Sequence, residues 1–302
     1  MITITRPGKY ALMVDTPVMN GAGTLGFANA YLNMIDVNKL GAYVTNPVTY
    51  EGWSPAHGTR VVPLDAGVLM HTGLPNAGVR KTIQEFSPVW RDLSVPTIMH
   101  LIATNTDHIQ RAIEMIDYSD AIMGIELGLN DDITWQEAES LVRAATEYAE
   151  KPVLVRLPMY DAYEIAGAVA DAGADALVIS APPRGTARDP RSGQLVSGRV
   201  YSPIVKAQAL KIAEVIATRI KDVPIIGAGG IHSIQDARDF LEVGAVAVQV
   251  DSVVWIQPRI IERIARDLSG NLVTKAHDAY PDEWHPDMGD TEFRELFGGD
   301  DD

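Results

Sequence analysis

The sequence predicts an α/β fold, a parallel (β/α)8 barrel with an N-terminal hairpin and an acidic C-terminal tail. Three observations carry that reading. Short apolar, β-branched runs alternate with helical periodicity along most of the chain, the pattern of a parallel sheet covered by helices. There are eight such runs, and eight is the number at which a sheet of this kind closes on itself. The clearest unit is Pro224-Ile225-Ile226-Gly227-Ala228-Gly229-Gly230-Ile231, an apolar run that stops in three glycines before a helical pattern opened by the N-cap Ser233.

The elements follow in order. Strands are expected at 17–21, 42–45, 96–101, 121–127, 152–157, 176–180, 223–227 and 245–250. Helices are expected between them at 27–40, 81–91, 106–116, 135–149, 161–172, 203–219 and 233–243, with a last one at 258–268. The opening segment 1–14 precedes the first barrel strand and is expected to fold as a hairpin across the barrel floor. The 302 residues, 46% hydrophobic and 22% charged, suffice for one large core. One domain over 1–270 and an acidic extension over 271–302 are therefore expected, the tail being read as a solvated end.

Composition excludes several classes of function. A net charge of −15 leaves no basic stripe for nucleic acid. The absence of cysteine removes disulfides, thiolate catalysis and an iron–sulfur cluster ligated by this chain, and no metal site is expected. No apolar run approaches about 18 residues and no signal-peptide core opens the chain, so a soluble cytoplasmic protein without membrane contact is expected.

In a barrel of this kind, function sits where the strands end. Those ends read Asn20-Gly21-Ala22-Gly23, Thr45-Asn46, His100, Glu126, Arg156, Ser180, Gly227 and Asp251. Four ionisable groups there are explained either by a polar pocket or by a structural ion-pair network, for instance Glu126 with Arg156. The Gly229-Gly230 turn reads either as a phosphate cradle of backbone N–H groups or as a tight strand–helix turn. Two connections exceed simple turns. The stretch 46–80 carries Trp53, His57 and His71, and 181–202 carries Arg184, Arg188 and Arg191, which suggests lids or anion clamps.

Several of these segments resemble the dihydroorotate dehydrogenase family, particularly its class 1 members. They are Pro17-Val18-Met19-Asn20-Gly21-Ala22-Gly23-Thr24-Leu25-Gly26, Gly41-Ala42-Tyr43-Val44-Thr45, Gly73-Leu74-Pro75-Asn76-Ala77-Gly78 and Ala172-Gly173-Ala174-Asp175-Ala176-Leu177. The turn at 225–231 and Ala245-Val246-Ala247-Val248-Gln249-Val250 complete a match spanning about 14–268. The resemblance implies an FMN-binding barrel with the flavin over the strand ends. It implies that the phosphate lies against Gly229, Gly230, Asp251 and Ser252, and that Gly21, Ala22, Gly23, Asn46, Arg156 and Ser180 line the flavin.

The departures from the family fall on the substrate side. The family's lysine after the second strand is Asn46, and its flavin-facing lysine on the fifth strand is Arg156, the candidate to stabilise a reduced, anionic flavin. A ring-binding asparagine becomes Gly128 and another becomes Met70, while the cysteine or serine base becomes Asp131. Asp131 reads either as a carboxylate base or, with Asp132, as a cap of the following helix. The usual Gly-Thr after the last strand is Asp251-Ser252.

The expectation is thus an FMN-dependent oxidoreductase with a substrate altered from dihydroorotate. The alternatives are a binding or assembly subunit that has lost redox chemistry, or a non-flavin enzyme with a phosphate-bearing ligand. A homo-oligomer acting on a small molecule is expected, with an electron-transfer partner subunit as a further candidate partner.

Overall fold

The computed structural model describes residues 1–276 except Lys9 and Leu32, with side chains through Ser269. Eight parallel strands form one sheet: β1 (Val18–Asn20), β2 (Tyr43–Val44), β3 (Thr97–Ile102), β4 (Gly124–Gly128), β5 (Val153–Leu157), β6 (Ala176–Ile179), β7 (Ile225–Ala228) and β8 (Ala247–Val250). They run in the order β1-β8-β7-β6-β5-β4-β3-β2. The sheet closes between β1 and β2 by a Met19–Ala42 bridge and a bond from Gly41 N to the Val18 carbonyl at 2.8 Å. Buried Asn20 completes the seam: its amide donates to the Val44 carbonyl at 2.6 Å, and its oxygen accepts from Val44 N at 2.9 Å.

Among the described residues seven helices cover the outside: α1 (Val79–Arg91), α2 (Thr106–Asp117), α3 (Trp135–Thr146), α4 (Ala162–Asp171), α5 (Val205–Arg219), α6 (Ile234–Glu242) and α7 (Ile260–Ala276). The expected floor hairpin is present, with Ile2–Thr3 antiparallel to Met13–Val14. Its Ile4, Leu12 and Val14 plug the barrel bottom against Ile98, Leu154, Ala176 and Ala247. Gly124 of β4 leaves room for this plug, because a Cβ there would meet Leu12 Cδ1 at 2.8 Å.

Three expectations change. Among the described residues of 27–40 no α-helix forms, and a 3-10 turn lies at Val37–Lys39. Ala28 adopts φ +73°, and the Asp36 carboxylate accepts from Asn38 N at 3.2 Å, a local bond that competes with a helical ladder. The last helix continues to Ala276 instead of stopping at 268; the remainder of the acidic extension lies outside the described residues. The two long connections are not separate lids. Hairpin strands Val61–Leu64 and Gly67–Met70 join Arg184–Arg188 and Leu195–Tyr201 in one four-stranded antiparallel sheet. That cap is tied to the loop after β8 by Tyr201 against Trp255, ring centroids 5.1 Å apart.

Candidate active site

Side chains alternate across a strand, so every second residue of β3, β4, β5 and β8 points into the barrel. Above the apolar plug these inward positions are His100, Glu126, Arg156 and Gln249, a polar layer under the C-terminal mouth. Glu126 is fully buried and sits at its centre. One oxygen meets His100 Nδ1 at 2.7 Å and Arg156 Nη1 at 3.5 Å, and the other accepts from the Gln249 amide. Arg156 Nη1 also donates to Gln249 Oε1 at 2.6 Å, and Nη2 to the Ser180 carbonyl at 3.3 Å.

This layer holds a charge where water cannot. Burial pushes the Glu126 carboxyl up. The bond and charge of His100, the Arg156 guanidinium and the Gln249 amide outweigh it and bring the group from 4.5 to about 2. Glu126 is therefore ionised at neutral pH, and Nδ1 of His100 is the donor to it. Of the two readings of these strand ends, the ion-pair network is what the side chains form, with Glu126 between His100 and Arg156.

His100 rises from this layer to the rim. A Cβ at Gly128 would lie 2.6 Å from its Nε2 and 2.8 Å from its Cε1. The imidazole thus fills the volume that a side chain at 128 would occupy, and only glycine is compatible with it there. Nε2 makes no hydrogen bond among the described residues, and the ring is 4% exposed. His100 belongs to the set of strand ends read from the sequence, but its place over Gly128 depends on the β3–β4 register that pairs His100 with Glu126.

The other expected site residues fall into three groups. Asn46 and Ser180 end β2 and β6 at the mouth, and Asn46 Oδ1 and Ser180 Oγ are both buried without a partner. Such orphaned atoms are costly unless a ligand meets them, and together with the Arg156 guanidinium they fit the polar edge of a flavin ring. In the turn after β7, which the sequence reads as either a phosphate cradle or a tight strand–helix turn, Gly229 and Gly230 take φ of +112° and +68°. A Cβ on Gly230 would come within 2.6 Å of Lys206 N at the start of α5, so this glycine also serves close packing. Gly21 lies against Asp251, whose Cβ would be 3.2 Å from a Cβ there, and Ala22 and Gly23 continue the turn toward Pro47. The Asp251 carboxylate turns back on its own loop and accepts from Ser252 N at 2.5 Å and Ser252 Oγ at 3.1 Å. His232 supplies an imidazole beside the same hydroxyl at 3.4 Å, a group the sequence reading did not single out.

Asp131 is placed differently from both of its readings. Its two oxygens are bound by Arg184 Nε at 2.9 Å and Arg199 Nη1 at 2.7 Å, an ion-pair role that neither reading named. It does not cap α3 either, since Thr134 does so in a capping box with Glu137. Arg184 is therefore a tie between cap and barrel, and Arg188 donates to Gly193 O at 2.6 Å within its own hairpin. Met70 lies in the cap strand paired with Arg199. Two cavities lie away from the mouth, one of about 450 Å³ by Asn33 and Arg259 and one of about 280 Å³ by Arg6 and Asp175.

Comparison with known proteins agrees with this architecture. Residues 10–272 match the model of the dihydroorotate dehydrogenase family. The chain is 30% identical over 303 residues to the dihydroorotate dehydrogenase B (NAD(+)) catalytic subunit of Geobacter metallireducens, covering 95% of each chain. The protein of that name in Porphyromonas gingivalis is 31% identical over 263 residues, covering 82% of this chain and 85% of its own. Among the described residues, no helix is long and apolar enough to cross a membrane.

Proposed function

The chain belongs to the dihydroorotate dehydrogenase family, a family of FMN-dependent oxidoreductases, and from that premise we propose an FMN-dependent oxidoreductase whose substrate is not dihydroorotate. The observation that carries the second half is the His100 imidazole standing where a side chain at 128 would be. A pocket that recognises a pyrimidine does so through hydrogen-bonding side chains, and an imidazole over glycine presents a different surface. Met70, at the other ring-binding position, offers no hydrogen-bond donor at all.

Asn46, Ser180 and Arg156 would hold the flavin ring. Gly229, Gly230, Ser252 and His232 would hold the phosphate, with Gly21, Ala22 and Gly23 closing the turn beside it. When bound, FMN supplies a two-electron hydride acceptor, and the chain supplies position and charge. The role of Arg156 in this reading is a fixed positive charge beside the ring, partly offset by Glu126 behind it. Asp131 we assign to holding the cap rather than to proton transfer. The relatives are named as catalytic subunits, which supports an electron-transfer partner that brings its own redox centre, because this chain has no cysteine with which to hold a cluster.

The test begins with the colour of the purified protein. A flavin band near ~450 nm and one FMN per chain are expected. Dihydroorotate should then reduce that flavin at least roughly a thousandfold more slowly than an ordinary turnover of about 10 per second. Rapid reduction by dihydroorotate would overturn the substrate reading alone. A protein that neither carries nor takes up FMN would overturn the whole, leaving a binding subunit or a non-flavin enzyme.

A further inference from the structure

We propose that His100 is the proton-transfer residue of this site, held in its tautomer by Glu126, and that it acts on substrates with an O–H or N–H next to the carbon being oxidised. The inference deepens the oxidoreductase reading and rests on it for the identity of the hydride acceptor.

The argument begins with the two nitrogens. Nδ1 is committed to Glu126 at 2.7 Å, and a buried carboxylate in that position fixes both ring orientation and tautomer. Nε2 then carries the free lone pair, and it faces the rim above Gly128 with no partner among the described residues. A carboxylate that orients an imidazole whose far nitrogen faces the site is the arrangement in which histidine serves as general base. The backbone of His100 is fixed as well, since its N–H donates to Thr45 Oγ1 at 3.1 Å. The other candidate base, Asp131, is spent on two arginines.

The substrate class follows from what surrounds Nε2. Removing a proton from carbon requires a neighbouring carbonyl to be polarised by hydrogen-bond donors, and Gly128, the residue that Nε2 lies over, presents no side-chain donor for that. An O–H or N–H hydrogen needs no such help. Its bond breaks toward Nε2, and the electron pair left behind forms the new double bond to carbon. The C–H pair would leave as hydride, and FMN held by Asn46, Ser180 and Arg156 would supply the two-electron acceptor. Proton and hydride are both accounted for, and no further reagent is required.

The charged groups facing His100 from packed elements are Glu126 on β4 and, behind it, Arg156 on β5; Thr45 and Gly128 are neutral. Histidine-selective nitrogen NMR on the protein as purified reads the claim without turnover, with the His100 signals assigned by their loss in His100→Gln. At neutral pH a single neutral tautomer is expected, with the proton on Nδ1 facing Glu126 and none on Nε2, and Glu126→Gln should let the other tautomer appear. A proton on Nε2 in the wild-type protein at neutral pH overturns the proposal, and this measurement stands even if Glu126→Gln fails to fold.

The second measurement follows flavin bleaching by a probe set of small secondary alcohols, 2-hydroxy acids and cyclic amines. His100→Gln should slow reduction by roughly 10²–10⁴-fold at unchanged FMN content, and the variant should lose a limb of the pH–rate profile that the wild type shows. Equal rates in the two proteins overturn the role of His100, and no reduction by any probe overturns the substrate class. A colourless protein overturns the flavin reading instead, and the NMR result separates that failure from this one.

Discussion

Two clusters of charge meet near the barrel mouth, and they are built in opposite ways. In the first, four strands contribute His100, Glu126, Arg156 and Gln249, and the Glu126 and Arg156 side chains are 0% and 5% exposed. In the second, a loop contributes Asp131 and the cap contributes Arg184 and Arg199, whose side chains are 60% and 26% exposed. The arginine–carboxylate distances are shorter in the second cluster, 2.7 and 2.9 Å against 3.5 Å between Arg156 and Glu126. Distance is therefore a poor guide to what each cluster does. Desolvation decides: a charge without water must be matched by neighbours or not exist, whereas a half-exposed pair is screened and held loosely.

The largest effect should come from removing the centre of the buried cluster. Glu126→Ala leaves Arg156 without its counter-charge inside the barrel, which costs about 3–5 kcal/mol. At roughly 2–4 °C per kcal/mol for a domain of this size, thermal unfolding followed by circular dichroism should fall by about 10 °C. Asp131→Ala should fall by no more than a few degrees. Equal losses in the two variants would show that burial is not what separates the clusters.

Acid should separate them next. Glu126 has its pKa depressed in the folded chain, from 4.5 to about 2, so the stability it contributes is fully present above the unfolded value. That contribution drains away as pH falls from about 4.5 toward 2, and a shift of this size corresponds to about 3 kcal/mol. Urea unfolding of wild type and Glu126→Gln across this window should therefore converge as pH falls. A constant gap between them would mean that Glu126 is no better held as an anion in the folded chain than in the unfolded one.

A smaller effect is expected at the rim. Gly128→Ala places a Cβ 2.6 Å from His100 Nε2, and displacing the imidazole should cost about 1–3 kcal/mol. In a double-mutant cycle with His100→Ala that cost should largely vanish, because the second change removes the atoms in the way. Additive effects would place the strain elsewhere.

These contrasts also explain how far the sequence could be read. The barrel was legible because each strand is an apolar run bounded by turns, and the floor hairpin because its apolar residues precede the first such run. Arg156 and Glu126 were legible as strand ends. The neighbours that decide their chemistry were not. Gln249 reaches Glu126 across 123 positions of sequence, and Gly128 has meaning only once register sets it beside His100. The cap escaped for a related reason. Val61–Leu64 and Gly67–Met70 make a hairpin signal around Asp65-Ala66, but the strand that completes the sheet comes from a loop more than a hundred residues away. Asp131 was read as base or cap from its local sequence, and its actual partners, Arg184 and Arg199, lie 53 and 68 positions on.

The smallest effect concerns that second cluster, and there the measurement must look at motion instead of stability. Asp131→Asn keeps the size of the side chain and removes the charge that both guanidinium groups meet. Because Arg184 is mostly exposed, global stability should change by less than about 1 kcal/mol. The cap has further ties to the rest of the molecule, through Tyr201 against Trp255 and through Tyr160 Oη donating to the Arg184 carbonyl at 3.4 Å. It should therefore loosen without detaching. Amide exchange should rise over Arg184–Arg188 and Leu195–Tyr201 and stay unchanged in β4 and β5, and salt should produce the same pattern in wild type by screening the pair. If exchange rises equally in the barrel strands, the latch is part of the core, and the distinction between a buried cluster and a screened one fails at this mouth.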